Sequence, residues 1–256
     1  MERKLHRIVL LSLLVLGLPS CVSYLPPSSL HYDVIQNQHP IISDSLVDKS
    51  QLVYVDLLTA KSGFHHRENP EIEDNDVLGG QIGYGFADRK RSFGLGLAYS
   101  SGRMYDNEDG QYAHSNLILR GSYAFDFHDG KWNGHLLKVQ GSASRGFGRY
   151  QDFLRANYEV RDEYNLAISD GQWLYSLSYG SQFYYDFNID HSFGLGLYFN
   201  HSSDLQNDGF HSDFFHMNLE YLYKKRYRLS LGGMLDARFT PRGETIYLGL
   251  GYNHHW

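Results

Sequence analysis

The stretch Phe93-Gly94-Leu95-Gly96-Leu97-Ala98-Tyr99-Ser100 decides the architecture. Its odd positions hold Phe, Leu, Leu and Tyr; its even positions hold Gly, Gly, Ala and Ser. Successive side chains of an extended chain point to opposite faces, so one face carries large apolar groups and the other almost nothing. A helix would smear both sets around its cylinder. The phrase returns as Phe193-Gly194-Leu195-Gly196-Leu197, again preceded by Ser, and a third version is Leu248-Gly249-Leu250-Gly251-Tyr252.

Other segments keep the same period with polar groups on the second face. Leu78, Ile82, Tyr84 and Phe86 alternate with Gly79, Gln81, Gly83 and Gly85. Leu117, Leu119, Tyr123 and Phe125 alternate with Asn116, Arg120, Ser122 and Asp126. Trp173, Tyr175, Leu177, Tyr179, Phe183 and Tyr185 alternate with Ser176, Ser178, Gln182 and Asp186. Phe215, Met217, Leu219, Tyr221 and Tyr223 alternate with His216, Asn218 and Glu220. The pattern predicts ten strands, near 51–61, 77–87, 92–101, 115–127, 133–144, 171–187, 192–200, 213–223, 228–239 and 245–256. Tyr150, Phe153, Tyr158 and Tyr164 leave 145–170 open, as extensions of two strands or as an added hairpin, so eight to twelve strands fit.

The connections alternate in kind. Asp88-Arg89-Lys90-Arg91, Asp129-Gly130, Asn188-Ile189-Asp190 and Lys224-Lys225-Arg226 are tight. The segments 62–76, 102–114, 145–170 and 201–212 are longer, polar and partly acidic, with a short fifth at 240–244. Pro70 and Pro241 fall in the long class, where proline costs no ladder bond. Tight turns at one end and long loops at the other define an all-β fold: an antiparallel up-and-down β-barrel of about ten strands, of the outer-membrane type.

Composition supports this reading. Mean hydropathy is −0.44, yet 15% of the chain is aromatic, with 21 Tyr, 15 Phe and 26 Gly. A barrel that is apolar on one face only hides its membrane signal in such averages. The lumen of a ten-strand barrel is too narrow for the whole aromatic set, so the large groups turn outward and Gly, Ala, Ser and Gln turn inward. A soluble barrel would invert that assignment. The inward charges Arg120, Asp126, Lys138, Asp186, Glu220, Asp236 and Arg238 are expected to pair across strands in a closed interior. A narrow channel is the alternative. The formal charge of −6, with no basic stripe, argues against a nucleic-acid partner.

The first residues carry a different message. Arg3, Lys4 and Arg7 form a basic start, and an apolar run from Ile8 to Leu18 follows, too short to span a bilayer as a helix. Leu18-Pro19-Ser20-Cys21 comes next, and Cys21 is the only cysteine in the chain. This resembles the lipobox of bacterial lipoproteins. The resemblance implies diacylglyceryl transfer to the Cys21 thiol, cleavage before it, and acylation (palmitate) of the new amino end. Residues 1–20 are then a lipoprotein signal peptide. Residues 21–50, with Pro26, Pro27, Pro40 and no sustained period, read as a lipidated periplasmic tether, and 51–256 as the barrel domain. The strand ending in Trp256, with Leu248, Leu250 and Tyr252 on one face, resembles the assembly signal of outer-membrane barrels. The expected location is the outer membrane of a Gram-negative bacterium, with the N-terminus anchored on the periplasmic side. The expected partners are membrane lipids and the barrel-assembly and lipoprotein-sorting machineries.

Candidate chemistry is sparse. His201-Ser202-Ser203 leading into Asn207-Asp208-Gly209 loosely resembles the outer-membrane lipid A 3-O-deacylases, small barrels with a Ser-His-acid site. The resemblance makes His201 the base and Ser203 the nucleophile. The spacing here is shorter, His211 stands where the acid aligns, and three strands follow instead of about one. Asp204, Asp208, His211 and Asp213 share that loop region, as acids and histidines do at the rim of omptin-type proteases, a likeness of topology alone. His65-His66 and His254-His255 lack a third ligand at metal spacing. Asp106-Asn107-Glu108-Asp109-Gly110 misses the EF-hand register, its Gly falling one residue early. No metal or cofactor is expected. The reading is a lipid-anchored outer-membrane barrel with a structural or surface-interaction role and no catalysis. The alternatives are a hydrolase of the outer leaflet using His201 and Ser203, a narrow channel, and a soluble periplasmic β-domain on a lipid tether.

Overall fold

The structure is a computed structural model that describes residues 23–25, 35–40, 49–63, 74–105, 111–158, 166–168, 173–203, 211–236 and 244–255. Ten antiparallel strands close into one barrel. They are β2 (Lys49–Gly63), β3 (Asp74–Asp88), β4 (Arg91–Tyr105), β5 (Gln111–Asp129), β6 (Trp132–Phe147), β8 (Leu174–Asp186), β9 (His191–Ser203), β10 (His211–Tyr223), β11 (Tyr227–Asp236) and β12 (Glu244–His255). Each pairs with its neighbour along the chain, and β12 closes on β2 with Glu244 opposite Gly63 and His255 opposite Leu52. Closure leaves no strand edge unpaired. Outside the barrel ladder, β1 (Ser23–Leu25) pairs in parallel with β7 (Leu166–Ile168).

Every predicted strand is present, with ends within a few residues of those read from the period. Most extend further at the long-loop end, where β4 runs on to Tyr105 and β5 begins at Gln111. The tight turns lie at one end of the barrel, with the start of β2: Lys49 pairs with Asp88, whose carboxylate caps its turn by accepting from the amides of Lys90 and Arg91. The hairpin after β10 turns through Lys224, Lys225 and Arg226, with Lys224 and Lys225 left-handed at φ of 53° and 54° and the Arg226 amide donating to the Tyr223 carbonyl at 3.1 Å.

Of the segment 145–170, residues 159–165 and 169–170 lie outside the described residues; β6 extends to Phe147, as one sequence expectation has it, and the part that follows departs from both. It forms α1 (Arg149–Tyr158), not an added hairpin. Tyr150, Phe153 and Leu154 recur at helical spacing, and Tyr150 and Leu154 are fully buried. Tyr112 of β5 packs on Phe153 with ring centroids 4.6 Å apart, so the helix covers the long-loop end beside β5 and β6.

A second departure concerns the tether. Residues Ile35 to Pro40 are all buried and lie inside the barrel, not below it. Residues 1–20, Cys21, Pro70, Asn207, Asp208, Pro241 and Trp256 lie outside the described residues.

The two faces separate as the period predicts. Along β4 the pattern alternates without a break from Arg91 to Ser100, Phe93, Leu95, Leu97 and Tyr99 being exposed and Ser92, Ala98 and Ser100 buried. The same outward exposure holds for Leu57, Leu119, Leu229, Leu231, Leu248 and Leu250. Aromatic rings gather near the tight turns. Trp132 lies 4.9 Å from Tyr185, which lies 5.1 Å from Phe187, and Tyr227 links Tyr223 and Tyr252 at 6.3 and 5.5 Å. Among the described strand residues, Tyr54, Tyr184, Tyr198 and Tyr247 are exceptions to the outward rule and are buried in the lumen. Their neighbours there are glycines and small polar groups, which leave room for rings.

Candidate functional site

The lumen is the most elaborately built region of the molecule. Small inward residues of β3 and β4 leave a channel of space, and the chain fills it with its own segment Ile35-Gln36-Asn37-Gln38-His39-Pro40. The inward face of the defining motif is where this happens. A Cβ placed on Gly94 would stand 3.0 Å from His39 Nε2, and one on Gly85 would stand 2.8 Å from Pro40 Cδ. Gly96 similarly faces Asn37 Oδ1. The bare second face of Phe93–Ser100 is therefore a seat for backbone and side chains from elsewhere in the chain.

Each plug residue has barrel partners. Gln36 Nε2 donates to Ser178 Oγ at 2.7 Å. The Asn37 amide donates to Gln140 Oε1 at 2.7 Å, its side chain donates to Ser122 Oγ at 3.2 Å, and Tyr54 OH donates to its Oδ1 at 3.0 Å. Gln140 Nε2 donates in turn to the Ile35 carbonyl at 3.0 Å, and the Lys138 ammonium to the Asn37 carbonyl. Buried backbone groups outside a ladder must find such partners.

His39 lies between Ser92 and Ser122, both at 2.7 Å from its ring nitrogens. Ser92 Oγ donates to Asp126, so His39 Nδ1 carries the proton toward Ser92 and Nε2 accepts from Ser122. Asp126 also holds His135 at 2.6 Å, and the His135 ring lies 5.1 Å from that of His39.

The charges expected inside are there, with additions. Arg120, Lys138 and Glu220 are buried. Arg120 donates to Gln81 Oε1 at 2.5 Å, and Glu220 accepts from Tyr184 OH at 2.5 Å and Asn218 Nδ2 at 3.0 Å. Asp186, nearer the tight turns, is 3.5 Å from Lys225. Arg228 pairs with Asp56 inside the lumen, an ion pair absent from the sequence expectation. Its signal was available: Asp56 sits between Val55 and Leu57, on the inward phase of β2. Gln81 Nε2 adds a bond to Asp56 Oδ2 at 2.6 Å. Arg238 lies outside the described residues, as does the side chain of Asp236.

The enzyme candidate sits elsewhere, on the outer surface near the long-loop end of β9. His201 is directly opposite Asp213 of β10, and His201 Nδ1 is 2.7 Å from Asp213 Oδ1. In the deacylase resemblance a histidine, His211, stands where the acid aligns; the register instead sets Asp213 against His201 and leaves His211 against Ser203. Ser203 follows His201 by one strand repeat and is buried, while Ser202 faces the lumen and shares a 2.7 Å hydrogen bond with Ser176. Of the paired histidines, His255 Nε2 contacts the Lys225 carbonyl at 2.9 Å, and His65-His66 lie outside the described residues.

No family model matches this chain, and no curated protein matches it. Solved structures that resemble it include Neisserial surface protein A (11% identity, 79% of this chain and 95% of that one, TM-score 0.37). The outer membrane protein OprG from Pseudomonas aeruginosa is similar over 81% of this chain and 96% of its own (10% identity, TM-score 0.36). The β domain of the Bordetella autotransporter BrkA is similar over 80% and 99% (9% identity, TM-score 0.45).

Proposed function

We propose that this chain is an integral outer-membrane barrel, closed by its own N-terminal segment, that serves as a membrane-embedded surface platform and not as a conduit or an enzyme. The observation that carries the reading is the outer face. Exposed Leu, Ile, Val, Tyr and Phe side chains recur on every strand of the barrel, whereas a soluble monomer rarely exposes contiguous apolar patches beyond roughly 300–600 Å². On β4 the outward apolar run Phe93–Tyr99 is bounded by Arg91 and Arg103, as a hydrocarbon slab flanked by headgroups requires. The aromatic ring of contacts near the tight turns fits a membrane interface, and Lys90, Arg91, Lys224 and Arg226 stand beside it where they would meet lipid headgroups. Membrane lipids and the assembly and sorting machineries are the partners this reading requires.

The filled lumen supports a closed barrel over a narrow channel. Ile35 to Pro40 occupy the space that an open pore would need, and planar-bilayer recordings of the purified protein are expected to show no discrete conductance. The direct test of the platform reading is gel mobility of membrane-extracted protein with and without boiling, alongside carbonate extraction. A faster unboiled band that resists carbonate is the expected result. Release by carbonate with no shift would return the soluble β-domain.

One observation favours a second reading. The His201–Asp213 pair has the arrangement of a general base held by an acid through Nδ1, and Ser203 lies one repeat further along the same strand. A lipid-facing hydrolase acting on acyl esters would use these groups. Ser203→Ala with lipid A acylation read by mass spectrometry separates the two: an unchanged pattern removes the hydrolase.

A further inference from the structure

The path of the N-terminal segment has a direction, and that direction determines which side of the barrel the N-terminus occupies. Ile35 clusters with Leu58, Ala60, Ile118 and Met234, inward residues of the long-loop half. Asn37 is bonded near mid-barrel, to Gln140 and Tyr54. His39 meets Ser92, the first inward residue after the 88–91 turn, and Pro40 approaches Gly85 on the neighbouring strand. The chain therefore descends from the long-loop half toward the tight-turn end as residue number rises. It then begins β2 at Lys49, which pairs with Asp88 at that same end.

A second observation agrees independently. Ser23–Leu25 pairs in parallel with Leu166–Ile168, and the latter belongs to the long connection between β6 and β8 at the long-loop end. The ten residues from Leu25 to Ile35 can span at most about 33–36 Å, enough to run from that connection into the lumen. With the lumen occupied by residues 35–40, a second pass of chain back through it has no room.

We infer that the N-terminal segment is threaded through the barrel, so that residues before Ile35 emerge at the long-loop end and are displayed on the cell surface. This inference rests on the outer-membrane reading above, in which the long loops face outward. It replaces the periplasmic tether expected from sequence. Cys21 stands two residues before Ser23 in the sequence, so a lipid on its thiol would reach the outer leaflet and not the periplasmic one. The anchor and the long loops then share one face. Threading also makes the plug and the tether a single element: tension on the anchor is borne by the hydrogen bonds of Gln36, Asn37 and His39 within the lumen.

The sequence supplies a clean experiment, because Cys21 is its only cysteine and the unsubstituted chain, labelled in parallel, reads that thiol alone. Three single variants of the full chain are expressed in cells: Ser28→Cys in the N-terminal segment, Asn207→Cys in a long loop, and Lys90→Cys in a tight turn. Each is treated with a membrane-impermeant maleimide before and after permeabilisation. The expected result is labelling of Ser28→Cys and Asn207→Cys on intact cells, with Lys90→Cys labelled only after permeabilisation. Labelling of Asn207→Cys on intact cells with Ser28→Cys silent until permeabilisation overturns threading and leaves the barrel reading standing. Silence of Asn207→Cys on intact cells overturns the outer-membrane topology and threading with it.

Discussion

The Lys138 ammonium donates a hydrogen bond to the backbone carbonyl of Asn37 at 2.5 Å, joining a barrel strand to a segment 101 residues earlier in the chain. A fully buried lysine is costly without a partner, and here a carbonyl of the plug supplies one. Plug and lumen polarity are therefore interdependent: neither is well satisfied without the other.

Replacing Gln36, Asn37, Gln38 and His39 together by Gly and Ser removes the side-chain partners of Ser178, Ser122, Ser92 and Tyr54. Planar-bilayer recordings are expected to show discrete conductance steps in this variant where the wild type is silent. Continued silence would mean that the lumen side chains close the barrel unaided.

Gly94 and Gly96 are expected to tolerate no side chain while the plug is seated. Gly94→Val places methyl groups against His39 and Ser122, and overpacking of this kind costs about 1–3 kcal/mol. Gly121→Ala is the control, since its Cβ meets nothing closer than a Leu95 methyl at 3.8 Å. Urea unfolding in lipid vesicles should lower the midpoint for Gly94→Val and leave Gly121→Ala near wild type.

The Arg228–Asp56 pair yields a prediction with two arms. Asp56→Leu leaves a buried guanidinium without its partner and should destabilise the barrel by about 3–5 kcal/mol. The double variant Asp56→Leu with Arg228→Met should recover most of that loss, because paired apolar groups avoid the desolvation cost. Equal losses in the single and double variants would show that packing shape, and not charge, dominates here.

The sequence by itself determined the strands, their faces and the two ends of the barrel. Strand alternation is local: Phe93 and Gly94 take opposite faces whatever surrounds them, and the tight turn at Asp88–Arg91 follows from residues adjacent in the chain. Inward charges such as Arg120 and Glu220 were legible for the same reason. Only the tertiary structure decided what those inward faces meet. Nothing periodic marks Gln36-Asn37-Gln38-His39, whose barrel partners lie 17 to 142 residues away, so composition alone reads it as a linker. The helix at Arg149–Tyr158 was hidden because its apolar residues suit a strand extension as well as a helical face, until Tyr112 and the long-loop end offered a surface to cover. Asp213 became the partner of His201 through register, a property of two strands and the length of the loop between them. The direction of threading was the least local feature of all, since it exists only once the barrel is closed around the segment.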